Sequence, residues 1–141
     1  MMKEFRARAI INAPAAAVFQ TITNLEAYPK FDPNCIKIDG VMELNGRLKI
    51  QSKLSPNRIF DVTVSEFKPN EKMVWESGLP LNLFKGRRTF LVTAKDDQTS
   101  EFEMVEVFTG LLANLICKSI PDMNEAFSDF AKGLKRFIEA R

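Results

Sequence analysis

Between residues 35 and 109 the chain alternates apolar and polar residues in six short runs. They are "CIKIDG", "GRLKIQSKL", "RIFDVTVSEF", "KMVWES", "GRRTFLVTA" and "SEFEMVEVF". Alternation with a period of two places one apolar and one polar face on each run, the pattern of a half-buried strand. In the second run Leu48, Ile50 and Leu54 share one face, and Arg47, Lys49, Gln51 and Lys53 the other. Three of the gaps, "SPN", "KPNE" and "KDDQT", are turn sequences rich in Pro, Asn and Asp. Such gaps are too short for the crossover that parallel strands need, so the runs form an antiparallel meander. Residues 4–11 add a seventh strand, with Phe5, Ala7, Ala9 and Ile11 alternating against Arg6 and Arg8.

The stretch "INAPAAAVFQTITNLEAYPKFDP", Ile11 to Pro33, separates that first strand from the other six. Pro14 suits a first helical turn, where its missing N–H would be unpaired in any case. Ala15, Val18, Phe19 and Ile22 follow at i, i+3, i+4 and i+7, which predicts a short amphipathic helix. Asn24 is a cap for a second turn, and Pro29 is expected to end it by forcing Tyr28 to be extended. After the last strand the chain is helical over about residues 111–139, interrupted at Pro121. Met123, Phe127, Phe130, Leu134 and Phe137 recur at spacings of 4, 3, 4 and 3, one apolar stripe along a helix. Asp122 and Glu125 in its first turn, and Lys135, Arg136 and Arg141 near its end, complement the helix dipole. The fold class is therefore α+β, and residues 1–141 read as a single domain.

Composition removes whole classes of chemistry. The 141 residues include no histidine, the commonest general base and nucleophile-activating group. Cys35 and Cys117 are far apart and read as free thiols; two isolated cysteines make no four-ligand zinc site. No metal and no fixed cofactor is expected. Lys and Arg exceed Asp and Glu by only 2 (20 against 18) and are scattered, which argues against a nucleic-acid partner. The opening "MMKEFRARAI" has no apolar signal core and no run is long enough to span a bilayer, so a cytoplasmic protein without stable membrane insertion is expected. A monomer or weak homodimer fits the same composition.

Several local motifs resemble the SRPBCC superfamily, which includes polyketide cyclase/dehydrase-like, START-like and birch-pollen-allergen-like proteins. "INAPAAAVFQTITNLEAYPKFDP" is similar to its I-x-A-P-x-x-V-[WF] … Y-P-x-[WF]-x-P opening. "FKPNEKMVWES" is similar to its P-x-x-x-L-x-W turn and strand, and "VEVFTG" to its E-x-F-x-G ending. The resemblance covers nearly the whole chain. It implies a helix-grip fold: a curved seven-stranded antiparallel sheet around a long C-terminal helix, with two short helices after the first strand and an apolar cavity between sheet and helix. Phe31 stands where many members carry Trp, and Arg88 where many carry His. The glycine-rich loop of the plant allergens is absent, and Gly40 and Gly46 read as turn and strand-start glycines.

The last hairpin carries the candidate site. With "DDQ" as a three-residue loop, Lys95 pairs with Thr99, Phe90 faces Met104, and Arg88 faces Glu106 on the apolar side. This cross-strand pair has three readings. It satisfies itself; or Arg88 orients a ligand oxygen while Glu106 holds the guanidinium; or Glu106 is a general base, although a carboxylate engaged by arginine is a poor base near neutrality. The expected cavity wall is Phe31, Phe90, Val92, Met104, Phe108, Phe127 and Phe130 beside Arg88 and Glu106. "LLANLIC" is too apolar for one helix face; it buries against the opening helices or forms a membrane-touching, ligand-access lip. Trp75 stays unassigned to a face, Tyr28 reads as a packing residue, and Asp96 and Asp97 as a solvated turn. The first functional expectation is binding or transport of a small hydrophobic or amphipathic ligand. The alternatives are a polyketide cyclase- or dehydratase-like enzyme, and an interaction module acting on a chaperone or ribosome.

Overall fold

The computed structural model describes residues 3–118 and 120–140. The alternating runs become seven strands: β1 (Lys3–Ile11), β2 (Cys35–Gly40), β3 (Arg47–Ser52), β4 (Ser55–Lys68), β5 (Lys72–Leu79), β6 (Phe84–Asp96) and β7 (Thr99–Thr109). They form one sheet in the order β1-β7-β6-β5-β4-β3-β2, every neighbouring pair antiparallel. The first strand thus pairs with the last, and β2 lies at the opposite edge. The stretch between β1 and β2 must cross the whole sheet, which is why it leaves strand conformation for α1 (Ala15–Ile22), a 3-10 turn (Leu25–Ala27) and α2 (Tyr28–Phe31). Register shifts interrupt the β2–β3, β3–β4, β4–β5 and β6–β7 ladders. Each extra residue sharpens the local twist, so the sheet curls.

The C-terminal helix, α4 (Asn124–Glu139), lies in the concavity and packs on β1 and β7. It buries Phe127, Phe130, Ala131, Leu134 and Ile138, each large side chain contributing roughly 1.5–3 kcal/mol of burial. Gly133 lets α2 approach its backbone: a Cβ there would stand 1.9 Å from the Phe31 carbonyl oxygen. This is the expected helix-grip arrangement.

Several local expectations are corrected. The predicted helix over 111–139 is two pieces, α3 (Ala113–Cys117) and α4, because Pro121 lacks an amide hydrogen and restricts the residue before it. Asp122 lies outside α4, where its carboxylate accepts from the Asn124 amide at 2.9 Å. Arg141 falls outside the described residues. Pro29 begins a helical turn rather than ending one: Tyr28 has φ −53° and ψ −52°, and proline is tolerated there because no amide hydrogen is needed in a first turn. Asn24 does cap, accepting from the Glu26 amide at 3.1 Å. "SPN" belongs to β4, and the reversal falls one step earlier, which leaves Leu54 exposed in the turn.

The final hairpin reaches its expected register by a different route. Asp96 pairs with Thr99 around a two-residue turn, and a register shift at Lys95 restores Ala94 opposite Ser100. One bulged residue offsets the shorter loop, so Phe90 still faces Met104 and Arg88 still faces Glu106. α3 packs on β6 and β7, not on the opening helices, leaving Leu111 and Leu115 in solvent.

Candidate functional site

Helix α4 covers only part of the concave face. It packs on β1 and β7 while α2 lies against β2 at the far edge, and the space left between them over the sheet is a cavity of about 540 Å³. Its floor is Ile38 of β2, Ile50 of β3, Phe60 and Val62 of β4, and Trp75 of β5. Met123, Ala126, Phe127 and Phe130 of α4 form the facing wall, and Ile116, Ile120 and Pro121 close one side. Arg88, Met104, Glu106 and Phe108 reach it from the last two strands.

Register explains the charged pair. Across the concave face one row runs Val64, Trp75, Arg88, Glu106, Phe5. Arg88 and Glu106 are directly opposite, and the Arg88 Nε donates to Glu106 Oε1 at 2.8 Å. Their side chains are 20% and 12% exposed. The guanidinium carbon lies 4.9 Å from the Phe127 ring centroid and 5.9 Å from that of Trp75, so aromatic faces stabilise the cation. With Nε engaged by the carboxylate, the terminal nitrogens have no hydrogen-bond partner among the described residues.

A second polar group was missed in the sequence. Asp32, the residue after α2, lines the cavity, and one carboxylate oxygen accepts from the Asn34 amide at 3.0 Å. Burial pushes its carboxyl above the usual range, partly opposed by the Asn34 bond and the nearby Arg88 charge. Asp32 lies inside the "YPKFDP" motif, but nothing in its spacing shows that α2 delivers it to the far end of the sheet. Trp75 takes the concave face because a bulge at Ser65 resets the β4–β5 register. Tyr28 is buried and also borders the cavity, donating to the Ile22 carbonyl at 2.5 Å; burial raises its phenol well above the ordinary value. Burial pushes the Cys35 thiol up to about 11, so it is not a thiolate nucleophile near neutrality.

Of the nine residues singled out from sequence, Arg88, Glu106, Met104, Phe108, Phe127 and Phe130 meet at the cavity. Phe31, Phe90 and Val92 do not line it. Phe130 fills the space above them, 5.1 Å from Phe31, 6.2 Å from Phe90 and 5.9 Å from Phe102 by ring centroids. Val92 is buried toward the end of β6 that α1 covers. Alternation placed all three on the correct face but could not show where along it the cavity ends. Among the described residues no cluster of three or more His, Cys, Asp or Glu is placed to hold a metal ion, and no helix is long and apolar enough to cross a membrane.

Residues 2–140 match the sequence model of a family described as polyketide cyclase / dehydrase and lipid transport. None of the curated proteins matches the chain. Among solved structures, the chain is similar to the ZhuI aromatase/cyclase from Streptomyces sp. R1128 (TM-score 0.74, 11% identity), covering all of this chain and 96% of that one. A START superfamily protein from Mycobacterium smegmatis gives a TM-score of 0.73 at 16% identity, covering 99% and 97%. The di-domain ARO/CYC protein BexL of the BE-7585A biosynthetic pathway gives 0.73 at 15% identity; 97% of this chain matches 46% of it, so the chain spans less than half of that relative. At these identities the structural likeness concerns the fold.

Proposed function

From the premise that the chain belongs to the polyketide cyclase/dehydrase and lipid transport family, we propose that it binds a small apolar or amphipathic molecule carrying a carboxylate or carbonyl oxygen. The observation that carries this reading is the Arg88 guanidinium, held by Glu106 through Nε, at the wall of a cavity that Met104, Phe108, Phe127 and Phe130 also line. Glu106 is a positioning residue: it fixes the guanidinium plane and offsets its charge, while the terminal N–H groups suit a ligand's paired oxygens. Met104, Phe108, Phe127 and Phe130 supply apolar contact along the ligand's body.

The test is a thermal-shift comparison of long-chain fatty acids with the matching alcohols, alongside native mass spectrometry for co-purified ligand. The acids should raise the midpoint more than the alcohols, and Arg88→Met should abolish that preference while leaving alcohol binding in place. Equal shifts for acid and alcohol in the unmodified protein would remove the role given to Arg88.

A second reading, a cyclase- or dehydratase-like enzyme, is favoured by Asp32. Its raised carboxyl keeps a proton to higher pH than an exposed aspartate and stands on a cavity wall where it could serve as a general acid. Similarity to an aromatase/cyclase fits this reading at the level of fold. Asp32→Asn should then abolish turnover of a polyketide-like substrate at unchanged affinity; undiminished turnover would exclude Asp32 as the acid.

A further inference from the structure

Three ionisable side chains line the cavity close to one another, and their charges do not balance once an acid joins them. Arg88 and Glu106 are paired at 2.8 Å and largely withdrawn from water, so the guanidinium already has its counter-ion. Asp32 brings a second carboxyl to the same lining, near enough to feel the Arg88 charge. Two further charged residues border the cavity without altering that count. Asp61 alternates to the opposite face of β4 from Phe60 and Val62, and there Lys49 donates to it at 2.8 Å. Arg58 rests on the Phe60 ring. It precedes Val64, which shares a row with Arg88, by roughly 20 Å of strand, too far to offset a charge at that row.

Asp32 is held in place from both sides. Its amide donates to the Tyr28 carbonyl at 2.9 Å, its carbonyl accepts from the Cys35 amide at 3.1 Å, and Oδ1 accepts from the Asn34 amide at 3.0 Å. The end of α2 is seated on α4 through the close approach of the Phe31 carbonyl to Gly133. The other carboxylate oxygen, Oδ2, receives no hydrogen bond among the described residues. Tyr28 does not supply one, because its phenol donates to the Ile22 carbonyl. The charged and titratable groups around Asp32 are Tyr28 of α2, Cys35 of β2, Lys53 of the β3–β4 turn, Arg88 of β6 and Asp129 of α4. Neither cation forms an ion pair with it among the described residues.

A ligand carboxylate at the Arg88 terminal nitrogens would therefore be the third carboxylate around a single guanidinium. Carboxylates crowded into a partly buried site do not all ionise; one retains a proton, and the group titrates as a unit. Asp32 suits that role, since burial already favours its neutral form and Oδ2 is free to carry the proton. An O–H on Oδ2 donating to the ligand's carboxylate is a charge-assisted bond, stronger than one between neutral groups. It turns a repulsion between two acids into an attraction.

We infer that the cavity takes up a carboxylic acid together with one proton, which Asp32 and the ligand's carboxyl share beside Arg88. Asp32 is then a specificity-determining residue for acids over alcohols. The inference rests on the reading of the cavity as an acid-binding site, and proton counting separates the two. Isothermal titration calorimetry with dodecanoic acid and dodecanol, in phosphate and in Tris at pH 7, measures protons exchanged per ligand bound. The acid should take up about one proton and the alcohol none. Affinity for the acid should fall about tenfold for each unit of pH above neutrality, the slope of one linked proton. In Asp32→Asn, which keeps an oxygen for the Asn34 amide, uptake should vanish and the slope flatten. A merely structural role for Asp32 would leave the proton count unchanged. If that variant folds poorly, the buffer and pH dependence of the unmodified protein decide alone. Preferential acid binding with no proton uptake would overturn this inference and leave the acid-binding reading standing. Undiminished uptake in Asp32→Asn would also overturn it, by putting the proton elsewhere. Equal binding of acid and alcohol would overturn both.

Discussion

The concave face of the sheet has two halves of similar sequence and opposite fate. On the β1–β7 side α4 and α1 press Phe102, Phe130 and Phe90 into a solid aromatic core, with Phe102 and Phe130 stacked at 5.9 Å. On the β2–β5 side Ile50, Phe60 and Val62 alternate in the same way but line a cavity. Alternation fixes which face is apolar. What covers that face decides whether it becomes core or binding surface.

The contrast can be broken most visibly by truncation. Phe130→Ala in the packed half should cost about 3–5 kcal/mol, because the helix cannot collapse into the space left among four aromatic partners. Ile50→Ala in the open half should cost about 1 kcal/mol, since the half-buried isoleucine already faces a void. Urea unfolding of both variants checks the pair, and similar losses would mean that the cavity half is as tightly packed as the other.

At the boundary between the halves stands the charged pair. Glu106→Ala should destabilise by about 1–3 kcal/mol by stranding the partly buried Arg88, whereas Arg88→Met, which fills the same space with an apolar chain, should cost less. Equilibrium denaturation of the two variants sharpens the comparison, and a larger loss for Arg88→Met would show that the cation, not its pairing, stabilises the strand.

A smaller effect depends on pH. Burial raises the Asp32 carboxyl in the folded state, so the native protein holds that proton more tightly than the unfolded chain. The linkage sign follows: stability contributed at this position is present at low pH and is lost as pH rises from the unfolded carboxyl value of about 4 through the raised folded value. Asp32→Asn removes the titration and keeps an oxygen for the Asn34 amide. The variant should therefore be more stable than the unmodified protein at pH 7, and the gap should narrow as pH falls toward 4. Urea midpoints at the two pH values measure the gap; a gap that does not narrow on acidification would count against a buried, titrating Asp32.

The smallest expected change in stability comes from filling the void. Ala126→Phe places a ring in open space on the α4 wall, so the unfolding midpoint should barely move while the thermal shift given by fatty acid disappears. Retained ligand binding in Ala126→Phe would put the binding surface elsewhere.

Period-two alternation and a single 3.6-period stripe are local properties, and they were enough for the antiparallel meander, for α4, and for the family resemblance carried by "INAPAAAVF" and "VEVFTG". They were enough even for the Arg88–Glu106 register, because pairing in a tight hairpin depends on few residues, although a bulge at Lys95 did part of that work unseen. Tertiary structure alone decided the remainder. Where α4 stops over the sheet depends on the volumes of Phe130, Phe31 and Phe102 together, so no single position announces that Phe90 is core and Met104 borders a cavity. Asp32 reaches the same cavity because the segment after β1 crosses to the far edge, a path set by which strands pair. The sequence by itself determined the faces; only the packed chain determined what each face meets, because burial is a property of distant segments brought together.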